Sequence, residues 1–379
     1  MNSVVEGAVI GYTSLSPSTN KTLALATDSS FEIDLLFRIV IIKSGPGEYL
    51  GIVENVSTEP NEAMSKRREK RKDAYPVVLA IRNLLYRKSG GTPAPVRNVP
   101  RPRAQVSLAS EADLARFFPG RPSTTHASLG CLRDTTYRLP LDATVLSFSN
   151  TGILAGIGHG KSHVAAQLVL QLHLAGRRMV VVDPTGEWPS LMTGQAEGQG
   201  TKLRSSLRPS VLRYSASIGG VHGREKFLDR AVKEFRSGRI TIIDASLLTH
   251  RGLAEEKIQE RCALAYDLQQ RLMVEATRAY DTTKSPYAYN GCILLEEAHE
   301  FVPASPDFEI QGKLDTLFSI STKEYRKYGL GLMFIDQSLQ AVYRELQVQT
   351  YILGSPATPG DLEFLKTRLG DDVADAVQR

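Results

Sequence analysis

The stretch AGIGHGKSH, Ala155 to His163, contains three spaced glycines followed by a lysine and a serine. A phosphate-binding loop has the pattern G-x-x-x-x-G-K-[ST], and this chain has Ala155 where the first glycine stands. Glycines let the backbone approach a phosphate with its N–H groups turned inward. An apolar run before the loop predicts a strand, and a helix predicted after it adds a partial positive charge. This context favours a nucleotide site over a purely structural loop.

The chemistry of such a loop assigns roles to individual side chains. Lys161 is predicted to reach the β and γ phosphates of ATP, and the Ser162 hydroxyl is predicted to bind Mg²⁺. The residues predicted to contact the nucleotide are Gly156, Gly158, His159, Gly160, Lys161, Ser162 and His163.

Two glutamates follow a second apolar run, CILL, at residues 292–295. If this run is a parallel strand, its carboxyl end lies at the edge of the sheet where ligands bind. Glu296 is then predicted to hold Mg²⁺, and Glu297 to orient or deprotonate the attacking water. The alternative is an ordinary acidic start of a helix, because acids are favoured near helix N-termini.

The rest of the chain predicts two architectures. Short apolar runs separated by Gly, Pro, Ser and Asn predict a small β-barrel or sandwich in residues 1–125, closed by a helix with Ser110 or a neighbour as its cap. Residues 126–379 alternate unbroken apolar runs with helical periodicity, which predicts an α/β domain with a mostly parallel sheet flanked by helices. The apolar runs that suit its strands are TGILAG, MVVVDP, ITIIDAS, CILLEEA, LGLMFIDQ and TYILGSP.

Composition narrows the class of protein. The chain has 379 residues, a formal net charge of +5 and a pI near 9.0, which suits a polyanionic partner without requiring one. Its three cysteines are far apart, no secretory signal opens the sequence, and no apolar stretch reaches the roughly 18 residues that span a bilayer. We therefore expect a soluble, cytoplasmic protein without a membrane partner.

Basic segments are the candidates for contact with such a polyanion. The run SKRREKRK at residues 65–72 is either a solvated loop or a contact with DNA phosphates or an acidic partner. Residues 204–215 and 222–239 are predicted to be basic insertions, one of which faces a DNA channel unless both are solvated surfaces. The cations of the second insertion are Arg224, Lys226, Arg230 and Lys233.

Taken together, the motifs resemble the HerA branch of the HerA/FtsK superfamily of motor ATPases. ILAGIGHGKSH is similar to its Walker A segment and ILLEEAH to its Walker B segment. VVVDPTGEW resembles the second strand of the family, and KEYRKYGLGLMFIDQS resembles its basic stretch, strand and sensor glutamine. The N-terminal β region stands where the family carries its HAS barrel.

The resemblance implies a RecA-like P-loop NTPase fold and further site residues. It implies that Gln337 senses the γ phosphate, that Asp183 and Glu187 support the site, and that Arg326 reaches the nucleotide of a neighbouring subunit. Each has an ordinary structural alternative. His163 and His299 are predicted to pack or hydrogen-bond, because no His/Cys spacing supports zinc.

Some positions depart from the family pattern. Ala155 replaces a glycine, Ser149 and Asn150 replace an Arg-His pair, and Ser338-Leu339 replace Arg-Pro. The family also continues beyond the point where this chain ends at Arg379, so ring stability is less firmly implied than the nucleotide site.

The implied function is an ATP-driven translocase or helicase of double-stranded DNA. It would be a ring, most simply a hexamer, working with a nuclease or other effector on the barrel in DNA end resection or anti-phage defence. The alternatives are a coupling ATPase for secretion or conjugation, a nucleotide-stabilised scaffold ring that regulates an effector, and a small-molecule P-loop kinase.

Overall fold

The computed structural model describes residues 8–18, 21–26, 35–57, 77–118, 126–132, 135–148, 150–197, 209–215, 221–249, 254–285, 288–338, 348–354 and 358–369. Two compact units divide the chain. The first comprises Met1–Arg121 and Gly130–Pro140, and the second comprises Pro122–Leu129 and Leu141–Arg379.

The first unit is a closed antiparallel barrel in the order β1-β2-β5-β4-β3-β6. Closure comes from β1, which pairs with β2 on one side and with β6 on the other. Apolar side chains fill its interior, which confirms the predicted small barrel. The strands are β1 Val9–Ser18, β2 Lys21–Ala26, β3 Ile39–Ser44, β4 Gly47–Ser57, β5 Val78–Lys88 and β6 Gln105–Leu108.

A short helix, α1 (Glu111–Phe117), follows the barrel and begins at the predicted cap. The Ser110 side chain accepts a hydrogen bond from the Asp113 backbone N–H, and the Asp113 carboxylate accepts one from the Ser110 N–H. This reciprocal pair satisfies two backbone donors that a helix start leaves without partners.

The second unit is built on a sheet of seven described strands in the order β11-β12-β10-β13-β14-β9-β15, paired in parallel throughout. This confirms the predicted mostly parallel sheet flanked by helices. The strands are β9 Thr151–Leu154, β10 Arg178–Asp183, β11 Ser210–Arg213, β12 Thr241–Asp244, β13 Gly291–Leu295, β14 Leu330–Asp336 and β15 Thr350–Leu353, and a small ladder joins β7 His126–Ala127 to β8 Leu141–Asp142.

The unbroken apolar runs are explained by burial on both faces of this sheet. In β13, Ile293 and Leu295 join one apolar cluster, whereas Cys292 and Leu294 join the other. Side chains that alternate between faces both need apolar character when helices cover both faces. The helices are α2 Ala143–Phe148, α3 Lys161–Leu174, α4 Trp188–Glu197, α5 Val221–Arg236, α6 Ala254–Thr283, α7 Glu309–Glu324 and α8 Pro359–Leu369.

Two segments differ from the sequence-based expectation. Ser210–Arg213, expected within a basic insertion, forms the edge strand β11 beside β12. Residues 89–103 are rich in proline and glycine, which predicts a simple connector. In the structure they fold back on the barrel, where Ala94 pairs with Tyr86 and the Thr13 hydroxyl donates to the Arg101 carbonyl at 2.6 Å. No helix in the described part of the chain combines the length and apolar character that crossing a membrane requires.

Asp315 in α7 is a buried carboxylate without compensation. Its side chain is buried, and neither oxygen has a hydrogen-bond partner among the described residues. Burial raises its pKa to about 7. Because the unfolded chain ionises at much lower pH, the folded state loses stability as pH rises toward 7.

Replacing Asp315 by leucine tests this cost. We expect D315L to raise the free energy of unfolding at pH 8 by about 1–3 kcal/mol, because a charged group without partners leaves the interior. The gain should shrink toward pH 4, where the carboxyl is neutral in the folded protein. Urea denaturation at the two pH values measures it, and an equal gain at both would contradict the assignment.

Candidate nucleotide site

The strand order brings three loops to one edge of the sheet. β14 lies between β9 and β13, with Asp336 opposite Leu154 and Phe334 opposite Leu295. The loop after β9, the glutamates after β13 and Gln337 after β14 therefore leave neighbouring strands at their carboxyl ends. Ligands bind at this edge in open α/β sheets.

The loop after β9 has the backbone shape expected of a phosphate cradle. Gly158 and Gly160 have φ values of 78° and 77°, in the left-handed region that favours glycine, and α3 begins directly afterwards at Lys161. Ala155 has no such φ and is only 4% exposed. A Cβ added at Gly354 would lie 2.7 Å from the Ala155 Cβ, so Gly354 leaves room for this methyl group. Alanine at the first loop position is therefore accommodated without backbone strain.

Two substitutions test whether Gly160 and Ala155 differ in their importance for nucleotide binding. We expect Gly160→Ala to weaken ATP binding about tenfold or more, because a left-handed alanine costs about 1–2 kcal/mol and shifts the loop. Ala155→Gly should change the affinity less than twofold. Titration with a fluorescent ATP analogue measures both, and a larger effect at Ala155 than at Gly160 would contradict the interpretation.

Glu296 lies beside the serine of the loop, as its predicted metal role requires. Its Oε1 accepts a hydrogen bond from the Ser162 hydroxyl at 3.0 Å, and its Oε2 accepts one from the Trp188 indole at 3.0 Å. Burial raises the pKa of Glu296 to about 7, against the lowering effect of these two hydrogen bonds. This carboxylate is thus held in a low-dielectric position that favours a cationic partner.

Trp188 is a site residue that the sequence interpretation missed. It is fully buried, and the turn that positions it is organised by Asp183. Asp183 Oδ1 accepts bonds from Thr185 and Gly186, and its Oδ2 accepts the Trp188 N–H at 3.0 Å. The Asp183 carboxylate thus makes its described hydrogen bonds within its own turn, and Glu187 is exposed. Their supporting role stays a prediction.

Removing the indole donor tests how Glu296 is held. We expect Trp188→Phe to weaken Mg²⁺-dependent ATP binding about tenfold, because a hydrogen bond to a charged group contributes about 1.5–3 kcal/mol. Binding measured in EDTA should change little. Met192→Leu in the same helix is the matched control, and an equal loss in EDTA would show that Trp188 acts only through packing.

Glu297 faces the lysine of the loop. Its Oε1 accepts a bond from Lys161 Nζ at 2.8 Å, and the Gln337 amide lies 3.2 and 3.3 Å from its two oxygens. The backbone of Glu297 is left-handed, with φ 48° and ψ 61°. Non-glycine residues held in this region cost about 1–3 kcal/mol and cluster at functional sites. The kink turns two consecutive carboxylates toward different partners.

His299 and Asp336 border this group. His299 Nδ1 lies 3.0 Å from Asp336 Oδ2 and 3.6 Å from Glu297 Oε2, close enough for the three side chains to share a cation. Asp336 already accepts N–H bonds from His299, Gln337 and Ser338. The hydrogen bond between the Asp336 carboxylate and the His299 ring raises the pKa of His299. We therefore assign the pair to shaping the loops after β13 and β14, in line with the predicted hydrogen-bonding role of His299.

The Ser162 and Glu296 oxygens match the needs of Mg²⁺. Octahedral Mg²⁺ holds oxygen ligands at about 2.0–2.1 Å, so two adjacent ligands are about 2.9 Å apart. The Ser162 hydroxyl and Glu296 Oε1 are 3.0 Å apart. The two oxygens are therefore close enough to be adjacent ligands of the predicted metal, once the Ser162 hydroxyl hydrogen turns away from Glu296.

Other predicted residues are less integrated into the site. His159 and His163 have exposed side chains. Arg326 belongs to the 3-10 helix Tyr325–Tyr328, but its side chain lies outside the described ones, so its role stays a prediction. In α5, Arg224 forms ion pairs with Glu260 and Asp267, whereas Lys226 and Arg230 are exposed.

Two of the positions that depart from the family pattern lie at the ends of sheet strands. Asn150 is buried, and its carbonyl accepts the Gln349 N–H at 2.9 Å, next to the pairing of β15 with β9. The Ser338 hydroxyl donates to Asp361 at 2.6 Å and so ties the end of β14 to the start of α8. Ser149, Leu339 and the basic run at 65–72 lie outside the described residues.

Several solved structures are similar to this chain at low sequence identity. The genome packaging NTPase B204 from Sulfolobus turreted icosahedral virus 2 is 10% identical over 61% of this chain and 87% of its own, with a TM-score of 0.36. The pCW3 conjugation coupling protein TcpA is 12% identical over 93% and 82%, with a TM-score of 0.40. VirB4 of Thermoanaerobacter pseudethanolicus is 14% identical over 68% and 91%, with a TM-score of 0.43. No protein-family model and no curated protein matches the chain. The fold assignment therefore stands on the topology described above.

Proposed function

We propose that this chain is an ATP hydrolase that works as a ring-shaped motor on double-stranded DNA. The observation that carries the hydrolase is the division of labour between two consecutive glutamates. Glu296 lies against Ser162, and Glu297 lies against Lys161 and Gln337. A protein that only binds nucleotide needs a metal-holding acid but no second carboxylate next to the phosphate lysine.

In the proposed mechanism, ATP binding rearranges the ion pair between Lys161 and Glu297. The side chains of this pair are only 11% and 14% exposed, so both charges are largely removed from water. When a triphosphate occupies the loop, Lys161 turns to the β and γ phosphates and leaves Glu297. The freed carboxylate then accepts a proton from the attacking water, and Gln337 orients this water near the γ phosphate.

Ser162 and Glu296 would hold Mg²⁺, which supplies neutralisation of charge on the phosphate oxygens. Glu296 must be ionised for this role. Burial raises its pKa and so opposes ionisation. The Trp188 indole and the Ser162 hydroxyl hydrogen-bond this carboxylate and favour its charged form.

The proposal places the nucleotide between subunits of a homo-oligomer, most simply a hexamer. Ile157, at the tip of the loop, is a large apolar side chain that is 78% exposed. In the proposed ring, the adenine or a neighbouring subunit would remove this apolar surface from water, which is favourable. Arg326 of the neighbour would then supply positive charge to the phosphates, as the family resemblance implies.

DNA is the proposed track because phosphate contacts move a motor along a duplex without sequence readout. The exposed cations Lys226 and Arg230 of α5 are the described residues proposed to line the channel. Their ion-paired neighbour Arg224 serves the packing of α5 against α6 instead. A nuclease or another effector docked on the barrel completes the proposal.

ATP hydrolysis with and without linear duplex DNA tests the proposal. We expect DNA to stimulate hydrolysis, and Glu297→Gln to lower kcat about 10²-fold or more because the general base is lost. Glu297→Gln should still bind ATP, whereas Lys161→Ala should lose both binding and hydrolysis. Phosphate release and ATP affinity are measured in parallel.

Other outcomes point to the alternative functions. Hydrolysis that ignores DNA favours a coupling ATPase for secretion or conjugation, or a scaffold ring. Phosphate transfer to a metabolite favours a small-molecule kinase. Light scattering with and without ATP tests the ring separately, and a monomer under both conditions contradicts it.

A further inference from the structure

One end of the barrel gathers exposed cations, and we call it the basic end. It consists of the β3–β4 turn and the segment 88–103 that follows β5. This segment contains four cations and no acid. The exposed cations of the basic end are Lys43, Lys88, Arg97, Arg101 and Arg103.

Strand register brings these cations together although they are far apart in sequence. The β3–β4 turn joins Ser44 to Gly47, and Gly47 lies opposite Lys88 in the ladder with β5. On its other side, the turn meets Arg101, whose N–H donates to the Ser44 hydroxyl at 2.8 Å. Lys43 is paired with Gln105, two residues after Arg103.

The segment is held in place by the barrel core, so the cluster is built into the fold. The Ser89 N–H donates to the Pro46 carbonyl at 2.9 Å, and Ala94 pairs with Tyr86. Val96 packs against the apolar interior of the barrel. These contacts fix the backbone that carries Lys88 and Arg97.

The cations of the basic end differ from other arginines of the barrel. Arg82 pairs with Glu54, and Arg87 pairs with Glu48. None of the five cations of the basic end forms an ion pair with another described residue. The acid that lies opposite Lys43 in the β3–β4 ladder, Glu48, forms its ion pairs with Arg87 and Arg116 instead.

The surface between these cations has low relief. The turn consists of Ser44, Gly45, Pro46 and Gly47, and residues 89–95 are SGGTPAP. Small residues and prolines leave the backbone of a ligand free to approach. Protein–protein interfaces are enriched in aromatic side chains and arginine and depleted in lysine, whereas here Tyr49 is buried and two of the five exposed cations are lysines.

We propose that the basic end binds the phosphate backbone of duplex DNA. The inference rests on the proposed function only for the choice of duplex DNA as the polyanion, and it does not involve the nucleotide site. Contacts of this kind carry no sequence preference, and their number sets the salt dependence of binding. The barrel would therefore hold DNA whether or not ATP is hydrolysed.

The experiment measures the affinity of the full chain for a fluorescent duplex without nucleotide, over a series of salt concentrations. For Lys43→Ala/Lys88→Ala/Arg97→Ala, we expect the slope of log K against log salt to fall in magnitude by about 2.7, because each phosphate contact contributes about 0.9. The affinity at low salt should fall as well.

Two control variants distinguish the loss of these particular cations from a general loss of positive charge. Lys284→Ala/Lys313→Ala/Lys366→Ala removes the same charge from exposed positions of the second unit and should change the slope by less than 1. Lys43→Arg/Lys88→Arg/Arg97→Lys keeps the charges and should keep the slope. A thermal melt of each variant checks that the barrel is folded.

The outcomes separate this inference from the proposed function. A fall of at least 2 that is confined to the barrel triple supports it, even if the protein hydrolyses no ATP, and Lys161→Ala should leave the slope unchanged. A smaller fall, or an equal fall in the control triple, overturns it. An acidic protein partner would then be the occupant to test on this surface.

Discussion

Parallel pairing of β14 with both β9 and β13 is the constraint on which the candidate site depends. It sets Leu154, Asp336 and Leu295 near one edge of the sheet, so the residues that follow them meet there. A slip of one residue in either ladder would turn the side chains of that strand to the opposite face. Because both faces carry apolar clusters, such a slip is opposed by the packing of the whole domain.

The catalytic candidates compensate one another electrostatically. Lys161 and Glu297 form a partly buried ion pair, and Gln337 hydrogen-bonds the same carboxylate. Removing one member of a buried pair leaves an uncompensated charge, which costs more than the pair contributes. In the proposed mechanism, phosphate oxygens would take the place of Glu297 beside the lysine.

The parts of this structure that were predictable from sequence are those set by local pattern. Unbroken apolar runs gave the central strands because both faces of the sheet are buried, and Ser110 gave the start of α1 through its capping bond. β11 was missed because it is a short edge strand with polar ends at Ser210 and Arg213. The folding back of residues 89–103 depends on partners such as Thr13, which lie far away in sequence.

The candidate site likewise contains features that local sequence predicts and features that depend on partners far away in sequence. The loop and the two glutamates follow from spacing and from their places after apolar runs. The indole of Trp188 reaches Glu296 across more than a hundred residues, and the bond between His299 and Asp336 joins two different strand ends. The sequence signal for Trp188 is its position next to Glu187, five residues after the strand end at Asp183.

Trp188 is the sole tryptophan of the chain, and its ring nitrogen is bonded to the carboxylate proposed to hold the metal. Light absorbed selectively by indole is therefore absorbed at the candidate centre and nowhere else in the protein. Its fluorescence emission gives the unlabelled chain a built-in optical probe of the protonation of that carboxylate and of the metal proposed to bind there.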